Sequence, residues 1–116
     1  MTEIAQKLNT KASFDGKEVV DANGRKIVLR KADIMDRFYL LRAMGADASN
    51  PSLVGMMMPT IYVAAIDGAP FPTPRTLVEC EAALKRLGDD GFLVVTEEIN
   101  NYFEGREEEA KAVIKK

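Results

Sequence analysis

The chain has no histidine, no tryptophan and a single cysteine, Cys80, among its 116 residues. Without histidine, no side chain titrates near neutral pH by default, and the commonest zinc ligand is missing. One cysteine excludes an internal disulfide framework and suits a reducing compartment. No GxGxxG, GxxxxGK[ST] or GxSxG pattern occurs, so neither a phosphate-cradling loop nor a nucleophile elbow is encoded. Acidic neighbours stand at Glu79/Glu81, Asp89/Asp90, Glu97/Glu98 and Glu107/Glu108/Glu109. Adjacent helical positions do not face one site, and solvated faces account for these pairs. A magnesium enzyme built from Asp and Glu alone stays open as a catalytic alternative. The expectation is a non-enzymatic protein without metal or cofactor.

Charge is missing from one long stretch. Asp, Glu, Lys and Arg make up 29% of the chain, yet Ala48 to Pro74 holds only Asp67. Such a window is either the centre of the fold or a surface that a partner covers. Asn50-Pro51-Ser52, Gly55 and Pro59 interrupt it, so its apolar part falls short of the roughly 20 residues a membrane span needs. The first fourteen residues lack an apolar h-region of about 7–15 residues, and no signal peptide is expected. A net charge of -2 gives no reason to expect nucleic acid or membrane as the main partner. Arg25, Lys26, Arg30 and Lys31 form a basic cluster, but without interleaved aromatics. The charge is uneven: residues 1–46 hold nine Lys/Arg against six Asp/Glu, and residues 47–116 seven against twelve. Head-to-tail self-association is compatible with that asymmetry.

The clearest local signal is Glu18 to Arg30, where two β-branched runs flank Asp21-Ala22-Asn23-Gly24. Asn-Gly supplies the positive φ that tight hairpins require, and Val20, Ile27 and Leu29 form the expected inward side. Asp33 then caps a helix to about Met44, with Asp36 in its first turn and Gly45 as the stop. Ile34, Phe38, Leu41 and Gly45 fall near one face of that helix, which Tyr39 and Leu40 widen. Arg37 and Arg42 are either solvated or the cationic edge of a partner site.

Asn50-Pro51 reads as an N-cap followed by proline at the first helical position. The helix it opens is apolar around its whole axis from Leu53 to Ile66, which marks central packing. Pro59 predicts a kink or break near Met58. Met56, Met57 and Met58 sweep about 300° of a helix, so at least one belongs at a rim, although methionine also fills core gaps. Asp67-Gly68 ends this helix, and Ala69 to Pro74 is a stiff connector or, alternatively, a polyproline ligand. Thr73-Pro74 opens the next helix, in which Cys80 joins Leu77, Leu84 and Leu87 on the apolar stripe as an inert buried thiol. A last helix spans about Phe92 to Phe103 with Val95, Ile99, Tyr102 and Phe103 inward, and Gly105 interrupts it.

The expected architecture is therefore α+β and mainly α-helical, an N-terminal β-hairpin followed by about four packed helices. Residues 1–14 form a flexible arm, residues 15–104 a single globular domain, and residues 105–116 a charged C-terminal tail or helical extension.

The order Asp21-Ala22-Asn23-Gly24-Arg25-Lys26-Ile27, Leu40-Leu41-Arg42-Ala43-Met44-Gly45, Asn50, Ala64-Ala65-Ile66-Asp67-Gly68, Pro72-Thr73-Pro74 and Leu87-Gly88-Asp89-Asp90-Gly91 resembles tail assembly chaperones of long-tailed bacteriophages and prophages. The resemblance covers about residues 18–103 and rests on structural punctuation. It implies a small, mainly helical, non-enzymatic protein in the cytoplasm of the bacterial host. Such a protein coats the apolar tape-measure protein and recruits tail-tube subunits. It also implies a longer form made by programmed ribosomal frameshifting, for which the Lys115-Lys116 codons are the candidate slip site. A coating protein needs many weak, adaptable apolar contacts. The candidate contacts are Met56, Met57, Met58 and Tyr62 from the quiet helix, with Tyr39 and Arg42 at its edge. A small regulatory adaptor that grips one folded partner is the alternative.

Overall fold

The hairpin expected around Asn23-Gly24 forms, but one residue out of the expected register. Strands β1 (Glu18–Val20) and β2 (Lys26–Leu29) pair antiparallel, with Val19 opposite Ile27. The turn closes through Gly24 N donating to Asp21 O at 3.0 Å and Asp21 N donating to Arg25 O at 3.1 Å, with Gly24 at φ 81°. This is a three-residue loop with glycine in the left-handed position, not a two-residue Asn-Gly turn. One residue of slip exchanges the faces of a strand. Val19, not Val20, is accordingly the buried residue beside Ile27 and Leu29.

Residues 14–114 of the backbone and side chains through residue 106 are described by this computed structural model. The expected arm, apart from Phe14, and the Lys115-Lys116 terminus lie outside the described residues. Phe14 itself is buried in the core.

Helix α1 (Ile34–Met44) starts in a capping box. Asp33 accepts from Asp36 N and Asp36 from Asp33 N, each at 2.9 Å. A 3-10 turn (Gly45–Ser49) leads to α2 (Pro51–Met57), whose first N–H groups, of Ser52 and Leu53, donate to Asn50 Oδ1. The break expected near Met58 is present, but the chain beyond it does not resume as helix, which corrects the single-helix expectation. Met58–Tyr62 is a second 3-10 turn, and Val63–Ile66 is strand β3, paired with β2. Pro59 removes the hydrogen bond that would carry the helix onward, and the β-branched Val63 and Ile66 then find an open strand edge opposite Leu29 and Ile27.

Asp67-Gly68 is likewise a hairpin turn, not a helix end. Both residues have positive φ, 50° and 81°, and they join β3 to the short β4 (Ala69–Pro70). The sheet is antiparallel throughout in the order β1-β2-β3-β4. Phe71 and Pro74 are buried, which makes the segment after β4 an intradomain link.

The final helix, α3 (Leu77–Ile114), opens at Thr76, three residues beyond the expected Thr73. Thr76 Oγ1 accepts from Glu79 N and donates to Glu79 Oε2, both at 3.1 Å. Gly88, at φ 70° and ψ 176°, breaks α3 into two arms without a loop, and Gly105 does not interrupt it. The described residues are thus α+β and mainly helical, with a hairpin extended to four strands and three helices, the last bent. One face of the sheet, through Val19, Ile27, Leu29 and Val63, joins Leu40, Ile61, Leu87 and Val95 in a single core.

Candidate binding surfaces

The basic residues of the hairpin serve the fold first. Asp21, buried, accepts from Asn23 N at 3.0 Å and Arg25 N at 2.9 Å, and its second oxygen accepts Arg25 Nε at 2.8 Å. Burial acts to raise the Asp21 pKa. The N–H groups of Arg25 and Asn23 and the Arg25 guanidinium outweigh it, so the carboxyl lies below its ordinary value. The same guanidinium donates to Arg86 O and Leu87 O, carbonyls that the bend at Gly88 leaves without helical partners. Asn23 Nδ2 reaches Asp90 at 2.9 Å on the other side of the bend. The Asp21-to-Ile27 and Leu87-to-Gly91 segments therefore meet in space. Arg30 is similarly occupied, donating to Ile61 O at 2.7 Å and pairing with Asp36 at 3.0 Å. Two of the four cations in the expected basic cluster are thus engaged, and only Lys26 and Lys31 are exposed.

Cys80 is buried, and burial, with the neighbouring Glu79 charge, pushes its thiol pKa up. It is therefore protonated and shielded, the opposite of a nucleophile's setting.

Three surface features remain. The first is the outer face of α1. Ile34 is 72% exposed, Phe38 52%, Met35 47% and Leu41 38%. Ile34, Phe38 and Leu41 follow the i, i+4, i+7 spacing of one helical face. The sequence places them near one face without choosing its direction, and the structure turns that face outward because Leu40 and Met44 take the buried side. Eight of the eleven residues of α1 are apolar, so periodicity within the helix does not choose a face. A helix apolar all round is either enclosed or an interface, and that signal was legible.

The second is a groove of about 160 Å³ between α1, α2 and the first arm of α3. Met44, Leu53, Met56, Met57, Leu77 and Leu84 line it, with Asp47 and Glu81 also at the groove. The third is a pocket of about 440 Å³ in which Lys31, Arg37 and Arg106 surround Tyr62, Tyr102 and Phe103.

No family model, curated protein or solved structure matches this chain.

The six expected contact residues do not form one patch. Met56 is 47% exposed at the groove, whereas Met57 is buried there and Met58 is half-buried against the core. Tyr62 is also buried, edge-on to Phe14 at 6.1 Å and to Phe103 at 6.4 Å. Met57, Met58 and Tyr62 thus contribute packing more than accessible contact area. Tyr39 is half-buried, with the Arg75 guanidinium 4.4 Å from its ring centroid, and Arg42 is exposed on α1. No helix among the described residues is long and apolar enough to cross a membrane.

Proposed function

We propose that this protein is a non-enzymatic tail assembly chaperone of a long-tailed phage or prophage. It coats the tape-measure protein in the cytoplasm of the bacterial host and helps recruit tail-tube subunits. The observation that carries the reading is the outer face of α1: four large apolar side chains on a helix whose opposite side is anchored in the core. Exposed apolar area gathered on one element is costly in water and marks a surface meant to be covered. A ridge of this kind suits an apolar helical ruler, since helix-on-helix docking uses residues at i, i+4 and i+7. The methionine-lined groove adds adaptable contact beside it. The chemistry-poor composition and the resemblance support the same reading.

Co-expression with the tape-measure protein encoded nearby, followed by affinity capture and mass spectrometry, tests it. Several copies retained on each soluble ruler are expected, and Ile34→Asp/Phe38→Asp should lose them while remaining folded. An insoluble ruler with nothing captured would refute the coating role, and a strict one-to-one complex with a folded protein would favour a regulatory adaptor.

A further inference from the structure

The apolar ridge of α1 has a charged border of one sign. At about 100° per residue, Arg37 lies about 40° round the helix from Leu41 at one edge, and Arg42 lies between Phe38 and Met35 on the other side. Arg37 also belongs to the pocket with Lys31 and Arg106, so ridge and pocket are continuous through one side chain. The three ion pairs among the described residues, Lys17 with Glu98, Arg25 with Asp21 and Arg30 with Asp36, do not involve Lys31, Arg37, Arg42 or Arg106; Lys31 N donates to Asp15 Oδ1 at 3.0 Å, and the Arg106 guanidinium lies 5.7 Å from the Tyr102 ring centroid. Both acids nearest the start of α1, Asp33 and Asp36, are committed to its capping box.

Among the described residues, the pocket lining has no carboxylate, glycine, serine or threonine. Phosphate sites are usually cradled by backbone N–H groups at glycine-rich turns or open helix starts, and no such turn is among the described lining residues. Three long cationic side chains from separate elements, over aromatic rings that bury the stem of an entering side chain, fit carboxylates carried on a protein segment.

We propose that the segment received by α1 is an amphipathic helix whose apolar stripe is bordered by Asp and Glu. Lys31, Arg37 and Arg106 seat its carboxylates. The inference rests on α1 being the docking surface and adds the chemistry of what docks there. Charge complementarity of this kind selects partner and orientation more than it adds raw affinity.

Two synthetic helical peptides with the same leucine stripe, one bordered by Glu and one by Lys, provide the test by fluorescence anisotropy with the full chain. The Glu peptide is expected to bind about tenfold more tightly at roughly 50 mM salt, with the advantage shrinking as salt screens it. Arg37→Glu/Arg106→Glu should reverse the order of the two peptides, a result that simple loss of folding does not produce. Equal affinities in the wild-type chain, or tighter binding of the Lys peptide, would overturn the acidic border. An anionic oligonucleotide that bound more tightly than the Glu peptide, and lost binding on that reversal, would also overturn it. Phe38→Asp separates the two claims. If it weakens both peptides and no charge preference exists, only the acidic border falls; if it changes neither affinity, the docking surface falls with it.

Discussion

Arg25 makes the contacts that connect the hairpin to the bend of α3. Its Nε meets the buried Asp21 carboxylate, and its terminal nitrogens meet the Arg86 and Leu87 carbonyls. Arg25→Ala would leave a buried carboxylate without its cation, a change that costs about 3 kcal/mol or more in comparable pairs. A urea titration should show that loss, and Arg25→Lys should recover only part because an ammonium lacks the planar fork. The same contacts make the fold sensitive to acid. Asp21 and Asp36 are both held below the ordinary aspartate range, because backbone N–H groups and the Arg25 and Arg30 guanidiniums outweigh the opposing effect of burial. A depressed folded pKa stabilises above the unfolded value and loses that contribution as pH falls through the folded one. Thermal stability should therefore be nearly flat from about pH 7 to about pH 5 and decline below about pH 4, with a shallower decline in Asp21→Asn. These contacts were only partly legible: Asp21 and Arg25 stand four apart in a readable turn, but the carbonyls they serve are more than sixty residues away.

Elements were legible where their signals are local. The cap at Asp33, the Asn50-Pro51 start and the break near Met58 act within one turn of backbone and appear as expected. The strand at Val63–Ile66 did not, because an apolar run of four residues becomes β3 only when β2 is beside it. Of the two glycines of α3, Gly88 breaks the helix, whereas Gly105, expected to interrupt it, does not. Gly88 occupies φ 70°, ψ 176°, a region essentially closed to other residues, so Gly88→Ala should destabilise by about 1–3 kcal/mol. An added Cβ would have space there, its nearest neighbour being Arg25 at 3.8 Å, so the cost is one of backbone conformation. Gly105 sits in continuous helix with open space around it, and Gly105→Ala should stabilise by about 0.5–1 kcal/mol. Chemical denaturation of both variants checks the pair together. On α1, Phe38→Asp should change stability by no more than about 0.5 kcal/mol, while Leu40→Ala on the buried face should cost about 2–5 kcal/mol. Similar losses for the two would contradict the assigned facing of the helix.

At the scale of the molecule, a small domain spends four large apolar side chains on an outward ridge while its core is filled from the opposite side of the same helix. Such a surface favours association. Ile34→Asp/Phe38→Asp should shift any concentration-dependent self-association measured by sedimentation toward monomer, whether or not a ruler is present. The chemistry-poor composition, the turn residues and the helix caps are properties of the chain alone, because each acts through its neighbours in sequence. Which side of α1 faces water, whether Val63 to Ile66 is helix or strand, and whether Arg25 and Arg30 are surface charge or internal ties were decided by tertiary structure. Those outcomes depend on groups brought together from distant positions, where a strand edge, a pair of open carbonyls or a filled core supplies the free energy that local sequence does not carry.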